Sequence, residues 1–215
     1  MLEVQAFTVG PLAENCYLVR ERGADTAVLL DPGDEPRRLL EALSTACVHR
    51  VAAILITHCH FDHVGAVKAV AEATGAPVYC PELEREVLAD INSYMAIPGF
   101  GPFDSYDAEH TVGGGETLEL AGLTFDVRFT PGHSPGHVSY AVRDADVLLS
   151  GDVLFQGSVG RVDLPGGDLK VLLDSISALV QEFPSGTVVY PGHMGATTLA
   201  AELASNPFLQ GLSRA

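Results

Sequence analysis

Residues 57–63 read T-H-C-H-F-D-H and place four potential metal ligands within six residues: His58, His60, Asp62 and His63. Imidazole and carboxylate groups are ligands that suit Zn, Fe or Mn. In extended backbone His58 and His60 point to the same side of the chain, so Cys59 is expected to point away from a metal. This stretch therefore predicts a metal centre without a cysteine ligand.

The flanks of this stretch predict a strand before it and a helix after it. Residues 51–57, V-A-A-I-L-I-T, form a short apolar run typical of a buried strand. Residues 64–74, V-G-A-V-K-A-V-A-E-A-T, carry apolar positions at helical spacing, and the helix is expected to stop at Gly75. A turn at the end of a rigid strand can make the four ligands converge.

Three more candidate ligands also follow predicted strands. T-P-G-H ends at His133 after the run 123–129, and S-G-D ends at Asp152 after the run 146–150. Y-P-G-H ends at His193 after the run 187–190. A lone histidine is more often an ordinary hydrogen-bonded residue than a ligand, but polar groups that follow several strands meet at one edge of a sheet. The cluster therefore predicts one site.

His49, His110 and His137 lie outside this cluster. His137 follows H-S-P-G and has two open interpretations. It orients a ligand through a hydrogen bond, or it packs beside the site, with packing slightly favoured.

Strands and helices recur in the same order in both halves of the chain. The other predicted strands are 14–20, 26–30, 76–80, 117–120 and 137–142, and a second helix is predicted at 168–183. This pattern indicates a pair of sheets covered by helices, and 215 residues favour one domain. Residues 91–115 combine aromatic residues with Gly and Pro but no period, and we interpret them as a lid-like loop.

The composition argues against nucleic-acid and membrane partners. Twelve Lys and Arg against 28 Asp and Glu give a net charge of −16, which repels nucleic acids and anionic membranes. The four cysteines form no C-x-x-C pair and are too few for a disulfide-stapled secreted scaffold of this length, which favours the reducing cytoplasm. The N-terminus M-L-E-V-Q-A-F-T has no basic region, so no targeting segment is expected.

With these residues identified, the chain resembles the metallo-β-lactamase superfamily, whose hallmark is an H-x-H-x-D-H run followed by separate His, Asp and His residues. Within it, the likeness is strongest to the small glyoxalase II-like (hydroxyacylglutathione hydrolase-like) hydrolases. The resemblance extends over nearly the whole chain, through V-G-P-L-A-E-N-C-Y-L-V, T-P-G-H-S-P-G-H, S-G-D-V-L-F, G-R-V-D-L-P-G-G-D and P-G-H-M-G-A-T-T.

This resemblance implies a single-domain α/β fold, the four-layer αββα sandwich, with two divalent metal ions at one edge. It implies that one metal is held by His58, His60 and His133, and the other by Asp62, His63 and His193. Asp152 would bridge them. The implied activity is hydrolysis of thioesters such as S-D-lactoylglutathione by a metal-bridging hydroxide, with Asp62 also directing the attack.

The chain departs from this resemblance around the substrate. Full-length glyoxalase II enzymes carry a C-terminal helical domain with basic contacts to glutathione, and this domain is not expected here. Arg161 and Lys170 are the remaining basic candidates, and Arg161 is equally interpreted as a structural ion-pair residue. Met194 stands where small family members usually have glycine, and Val162 and Leu164 stand where Thr and Phe are common.

Two other activities of the same superfamily stay open. A persulfide dioxygenase would bind one Fe(II) through His58, His133 and Asp152. A lactonase would use similar metal chemistry, and the apolar stretch 91–107 would suit its acyl chain. A nuclease is disfavoured by the net charge. A non-catalytic metal-binding module is disfavoured because structural zinc sites are usually Cys-rich.

Overall fold

The computed structural model describes residues 1–94 and 99–211. Its strands are β1 (Leu2–Val9), β2 (Glu14–Glu21), β3 (Thr26–Leu30), β4 (Arg50–Leu55), β5 (Val78–Pro81), β6 (His110–Val112), β7 (Thr117–Leu120), β8 (Leu123–Phe129), β9 (Val138–Val142), β10 (Val147–Gly151), β11 (Leu154–Phe155), β12 (Ser158–Val159), β13 (Val188–Pro191) and β14 (Thr197–Thr198). Its helices are α1 (Pro36–Thr45), α2 (Phe61–Val64), α3 (Val67–Thr74), α4 (Arg85–Ala89), α5 (Ile91–Tyr94), α6 (Leu169–Glu182) and α7 (Leu199–Ser205), with 3-10 turns at Glu82–Glu84 and Pro207–Leu209.

Two six-stranded sheets form the centre of the fold. The first has the order β1-β2-β3-β4-β5-β6 and is antiparallel up to β3 and parallel from there on. The second has the order β14-β13-β10-β9-β8-β7, in which β10 and β13 are parallel and the other pairs are antiparallel. β11 and β12 form a separate short ribbon.

The alternation of side chains along the strands explains why the sheets stack. In β2, Cys16 and Leu18 face one apolar cluster, while Tyr17 and Val19 face the cluster between the sheets. Successive side chains of a strand point to opposite faces, so a strand buried on both faces is apolar almost throughout. This is the reason that short continuous apolar runs, rather than alternating ones, mark the central strands.

Helices cover the outer face of each sheet. α1 and α3 pack on the first sheet through Leu39, Leu43, Val67 and Val70. α6 packs on the second sheet through Leu172, Ile176 and Leu179. The order of layers is helix, sheet, sheet, helix, which confirms the predicted αββα sandwich.

Most predicted elements agree with the structure. The predicted strands and the helix predicted at 168–183 lie within two residues of the observed ends. The helix predicted at 64–74 begins later, as α3 at Val67, because α2 already starts inside the histidine run at Phe61. β1 and α1 were not predicted, although Pro36 in the first turn and the Leu39 and Leu43 spacing are signals of a helix start.

The interpretation of 91–115 as one irregular loop is wrong at both ends. Residues 91–94 form α5, and residues 110–112 form β6, which pairs in parallel with β5. Residues 95–98, also part of that interpretation, lie outside the described residues. The rings of Phe100 and Phe103 lie against Phe61, with centroids 4.9 and 5.0 Å away. A lid role for this segment stays a prediction.

The second sheet delivers three candidate ligands to the same edge. β10 and β13 are parallel, and β8 and β10 are both antiparallel to β9, so β8, β10 and β13 all run in one direction. Their carboxyl ends lead directly to His133, Asp152 and His193. Within the described ranges, no helix combines the length and apolar character needed to cross a bilayer.

We expect Arg20 on β2 to stabilise the fold. Arg20 is buried, bonds to Glu3 and donates to the carbonyl oxygens of Ala24 and Ala46 at 2.9 and 2.8 Å. Arg20→Ala leaves these acceptors unpaired and should lower the free energy of unfolding by about 2–4 kcal/mol. Arg37→Ala on the exposed face of α1 is the control. Equal urea midpoints for the two variants would contradict this assignment.

Candidate metal centre

The histidine run follows β4, and its side chains point to two different sides. His58 and His60 face the same space, with His58 Nε2 3.0 Å from His60 Nδ1. Cys59 points the other way and lies with its Sγ 3.5 Å from the Cys80 Sγ. The expectation that Cys59 points away from the histidines is therefore confirmed.

Three ring nitrogens form a triangle at the edge of the sheets. His133 Nε2 lies 3.1 Å from His58 Nε2 and 2.8 Å from His60 Nδ1. The nitrogens of a tetrahedral metal site with bonds of 2.0–2.1 Å lie about 3.3 Å apart. Burial and the neighbouring His133 lower the pKa of His60 to about 3, and burial also holds the pKa of His58 well below its ordinary value. The lowered pKa values keep His58 and His60 neutral, so their ring nitrogens can act as metal ligands.

A second group of ligands lies beside this triangle. Asp62, His63 and His193 offer ligand atoms within 4.8 Å of one another. His193 Nε2 lies 3.3 Å from Asp62 Oδ2. Gly192 precedes His193 at a close approach, because a Cβ there would collide with Asp152 Oδ1. The P-G-H sequence thus lets this loop reach the centre.

Asp152 lies between the two groups. Its carboxylate oxygens are 3.4 Å from His63 Nε2, 3.5 Å from His133 Nε2 and 3.6 Å from His193 Nε2. Burial raises the pKa of Asp152, but the charges of the nearby His63, His133 and His193 lower it more, and the net pKa lies below the ordinary value. An ionised carboxylate therefore faces both histidine groups.

Two buried atoms of this cluster lack a hydrogen-bond partner among the described residues. They are His63 Nε2 and Asp152 Oδ1, both shielded from solvent. Buried polar atoms are nearly always paired, and a bound metal ion would supply the missing partner here. The donor set of imidazoles and carboxylates fits Zn, Fe or Mn. The chain therefore has a His/Asp metal-binding cluster that brings together all seven predicted ligands.

Asp31 is a functional residue that the sequence analysis missed. Its buried carboxylate accepts hydrogen bonds from Thr57 N at 2.8 Å and Thr57 Oγ1 at 2.6 Å, and lies 3.0 Å from His63 Nδ1. A carboxylate on the far nitrogen fixes the tautomer and orientation of a ligand histidine. The signal was the sequence D-P-G at residues 31–33, directly after β3, another strand end.

Glu84 is a second missed residue, and it joins two ligand loops. It accepts hydrogen bonds from Cys59 N at 2.6 Å, Gly136 N at 3.1 Å and Ser134 Oγ. The loop of His58 and His60 is thereby tied to the loop of His133. Glu84 lies in a 3-10 turn, where no local pattern marks it.

His137 orients Asp152 rather than only packing beside the site. Its Nε2 accepts a hydrogen bond from Asp152 N at 3.0 Å, and its Nδ1 lies 3.0 Å from Thr130 Oγ1. The Nδ1 therefore carries the proton and donates a hydrogen bond to Thr130 Oγ1. The structure therefore matches the interpretation that His137 orients a ligand, and not the slightly favoured interpretation that it only packs beside the site.

The backbone and the side chain of Arg161 contact different partners. Its carbonyl oxygen accepts a hydrogen bond from His133 Nδ1 at 2.7 Å, which orients this ligand. Its guanidinium makes two 2.7 Å hydrogen bonds to Asp163 and lines the cavity beside the ligands. The ion-pair interpretation is confirmed, and the substrate-binding role stays a prediction. Lys170, the other basic candidate, pairs with Asp174 on α6.

An open cavity of about 430 Å³ lies over the cluster. Its size is in the range of small-molecule sites. Five of the predicted ligands line it: His60, Asp62, His133, Asp152 and His193. A bound molecule in this cavity would therefore contact the ligand cluster directly.

Comparisons with known proteins agree with this geometry. The family model for the metallo-beta-lactamase superfamily matches residues 9–193. The chain is 40% identical over 207 residues to the probable metallo-hydrolase YqgX of Bacillus subtilis, covering 95% of this chain and 96% of the relative. It is 31% identical over 219 residues to the hydroxyacylglutathione hydrolase GloC of Haemophilus influenzae, covering 99% and 100%.

Two crystal structures are similar over nearly their whole length. The BLEG-1 B3 metallo-beta-lactamase superposes with a TM-score of 0.90 at 40% identity, covering 98% of this chain and 100% of that chain. TTHA1623 in a di-iron-bound form superposes with a TM-score of 0.84 at 42% identity, covering 96% and 100%. The family match over most of the sequence and the His/Asp cluster together show that the chain belongs to the metallo-β-lactamase superfamily.

Proposed function

We propose that the chain is a binuclear metal-dependent hydrolase that cleaves thioesters. The observation that carries this proposal is the position of Asp152 within 3.4–3.6 Å of nitrogens from both histidine groups. A carboxylate that reaches both groups can bridge two ions. His58, His60 and His133 would then hold one ion, and Asp62, His63 and His193 the other.

Two divalent ions bound there would supply a hydroxide at neutral pH and polarise the thioester carbonyl. The di-iron form of TTHA1623 supports a site for two ions and makes iron a candidate beside Zn and Mn. The choice among these metals depends on availability as well as on the ligands.

Asp62 is the catalytic side chain in this proposal. Its carboxylate lines the cavity. Burial raises its pKa, but the hydrogen bond from His193 and the charge of His63 lower the pKa more, so the net shift is downward. An ionised Asp62 would accept a hydrogen bond from the attacking water and direct it at the substrate carbonyl.

The chain's cysteines are unsuited to act as the nucleophile instead, because none of the four lines the cavity. Cys59, next to the ligands in sequence, is turned away from the cavity, and burial raises the pKa of its thiol well above the ordinary value. The thiolate that leaves a thioester is stable in water and needs no general acid. The name of GloC supports S-D-lactoylglutathione as a first substrate to test.

We also infer a small-molecule substrate and a cytoplasmic location. Cys59 and Cys80 lie close together as free thiols, which suits a reducing compartment. The exclusion of nucleic acid and membrane partners rests on the net charge of −16 and stays a prediction.

The main experiment combines metal analysis of the purified protein with an assay panel. The panel contains S-D-lactoylglutathione, other acyl thioesters, a lactone, a β-lactam, and glutathione persulfide with an oxygen electrode. Two ions per chain and thioester cleavage are expected. One iron per chain with rapid oxygen uptake would replace this proposal with a persulfide dioxygenase that uses His58, His133 and Asp152.

Metal content should distinguish the bridging residue from a ligand of one ion. His193→Ala should keep about one ion per chain, because it removes a ligand of the second group alone. Asp152→Ala should lower the occupancy of both sites and reduce kcat at least as strongly. Elemental analysis measures the occupancy, and the exposed His49→Ala is the control. Two full sites in Asp152→Ala would rule out the bridging role.

Asp31→Asn should weaken metal binding without removing a ligand. The amide would present a donor where Asp31 now faces the donors of Thr57 and His63, so the orientation of His63 would be lost. A loss of about 10–100-fold in metal affinity is expected, measured by competition with a chelator. Asp34→Asn, exposed on the same loop, is the matched control. An affinity equal to that of the control would show that His63 needs no such partner.

A further inference from the structure

We propose that the cavity over the metal centre binds an apolar acyl group, so that the preferred substrates are thioesters of medium-length aliphatic acyl chains. This inference rests on the proposed thioester hydrolase function and names its substrate class. The proposed substrate class differs from a lactoyl thioester, whose acyl group is short and carries a hydroxyl. Three independent features of the cavity support it.

The first feature is the lining of the cavity. Apart from the candidate ligands, nine of the described residues line it, and seven of them are apolar: Leu12, Phe61, Phe100, Phe155, Val159, Leu164 and Met194. The other two are Ser158 and Arg161. A cavity of about 430 Å³ leaves room for a chain of several methylenes beside the reacting carbonyl. Removing such a chain from water favours binding in proportion to its apolar area.

The second feature is the scarcity of available positive charge. Among the described residues that line the cavity, Arg161 is the one Lys or Arg, and Asp163 already binds its guanidinium through two hydrogen bonds. The chain around it carries a net charge of −16. The carboxylates of a polar thiol such as glutathione would gain little here, because they would compete with Asp163. An aliphatic acyl chain needs no charged partner.

The third feature is the backbone conformation of Met194. Its φ is 69°, in the left-handed region that favours glycine, yet the residue is a methionine. Its carbonyl oxygen accepts a hydrogen bond from Asn15 Nδ2 at 2.8 Å, and Asn15 N donates to Gly192 O at 2.8 Å. These bonds use only the backbone of residues 192 and 194, so a glycine at position 194 would form them as well. The Met194 side chain is therefore not needed for the local fold.

What the Met194 side chain contributes is apolar surface at the cavity. It is 57% exposed and lines the wall next to His193. Exposed Leu12 and Phe100 line the same cavity. Apolar side chains that remain exposed at the mouth of a site become buried when an apolar ligand binds. Met194 is thus assigned as a specificity-determining residue.

The first test varies the length of the acyl chain while the thiol stays the same. S-acyl thioesters of N-acetylcysteamine with two to ten acyl carbons are assayed with the metal-loaded enzyme. kcat/KM should rise about threefold to fourfold for each methylene that the cavity buries, and then level off when the cavity is full. A flat profile, with every thioester hydrolysed equally, would overturn the inference and leave the proposed function intact.

Variants of Met194 localise the effect. Met194→Gln has nearly the same length and the same backbone strain but a polar end, so the ratio of octanoyl to acetyl kcat/KM should fall about fivefold to tenfold. Met194→Gly should lower the ratio similarly while relieving the strain. Met194→Leu keeps the apolar surface and should keep the ratio. Asp144→Gly is the matched control, because Asp144 has a φ of 63° in an exposed turn away from the cavity.

Binding to the metal-free protein separates this inference from the proposed function. Calorimetry with S-octanoyl-N-acetylcysteamine requires no hydrolysis, and wild type should bind it about fivefold or more tightly than Met194→Gln. Binding of this kind, together with no thioester cleavage by the metal-loaded enzyme, would support the apolar site and contradict the hydrolase proposal. Equal binding by wild type, Met194→Gln and Asp144→Gly would overturn the inference.

Discussion

The buried carboxylate of Asp31 is the interaction on which the site depends. It joins the end of β3 to the end of β4 through Thr57, and it joins both strands to α2 through His63. The residue adopts a left-handed φ of 48°, which Asp tolerates better than most residues. Its three partners offset the cost of burying a charge. Because the same carboxylate fixes the strand ends and the ligand ring, strand packing and ligand geometry are set together.

Several acidic side chains are buried at the metal centre. Glu14, Asp31 and Asp152 are buried, and each has a carboxylate oxygen within 4 Å of a ring nitrogen of His63. Burial and the neighbouring carboxylates raise the pKa of Glu14 well above its ordinary value, and its two oxygens have no hydrogen-bond partner among the described residues. Cations at the histidine groups would offset this concentration of negative charge. The same ions that serve the chemistry would therefore also stabilise the fold around them.

The ligands could be predicted from the sequence because each follows an apolar run, and strand ends meet at a sheet edge. Asp31 shares this position but is one carboxylate without a neighbouring histidine, so nothing local distinguishes it from a turn residue. Glu84 could not be predicted, because its role depends on Cys59 N, 25 positions away, and on Gly136 N, 52 positions away. β1 was missed because it is an edge strand with only Phe7 and Val9 buried, so its apolar pattern is weak.

Arg161 and Met194 each use the backbone to hold the site together and the side chain to line the cavity. The carbonyl oxygen of Arg161 orients His133, and the carbonyl oxygen of Met194 holds the His193 loop to Asn15. Neither contact depends on the identity of the side chain, since every residue has a carbonyl group. The side chains are thus free to face the cavity without disturbing the ligands. Under the proposal above, a substitution at either position would change which substrate fits while the arrangement of the candidate ligands remains, so that recognition of the substrate and binding of the metals would be separate.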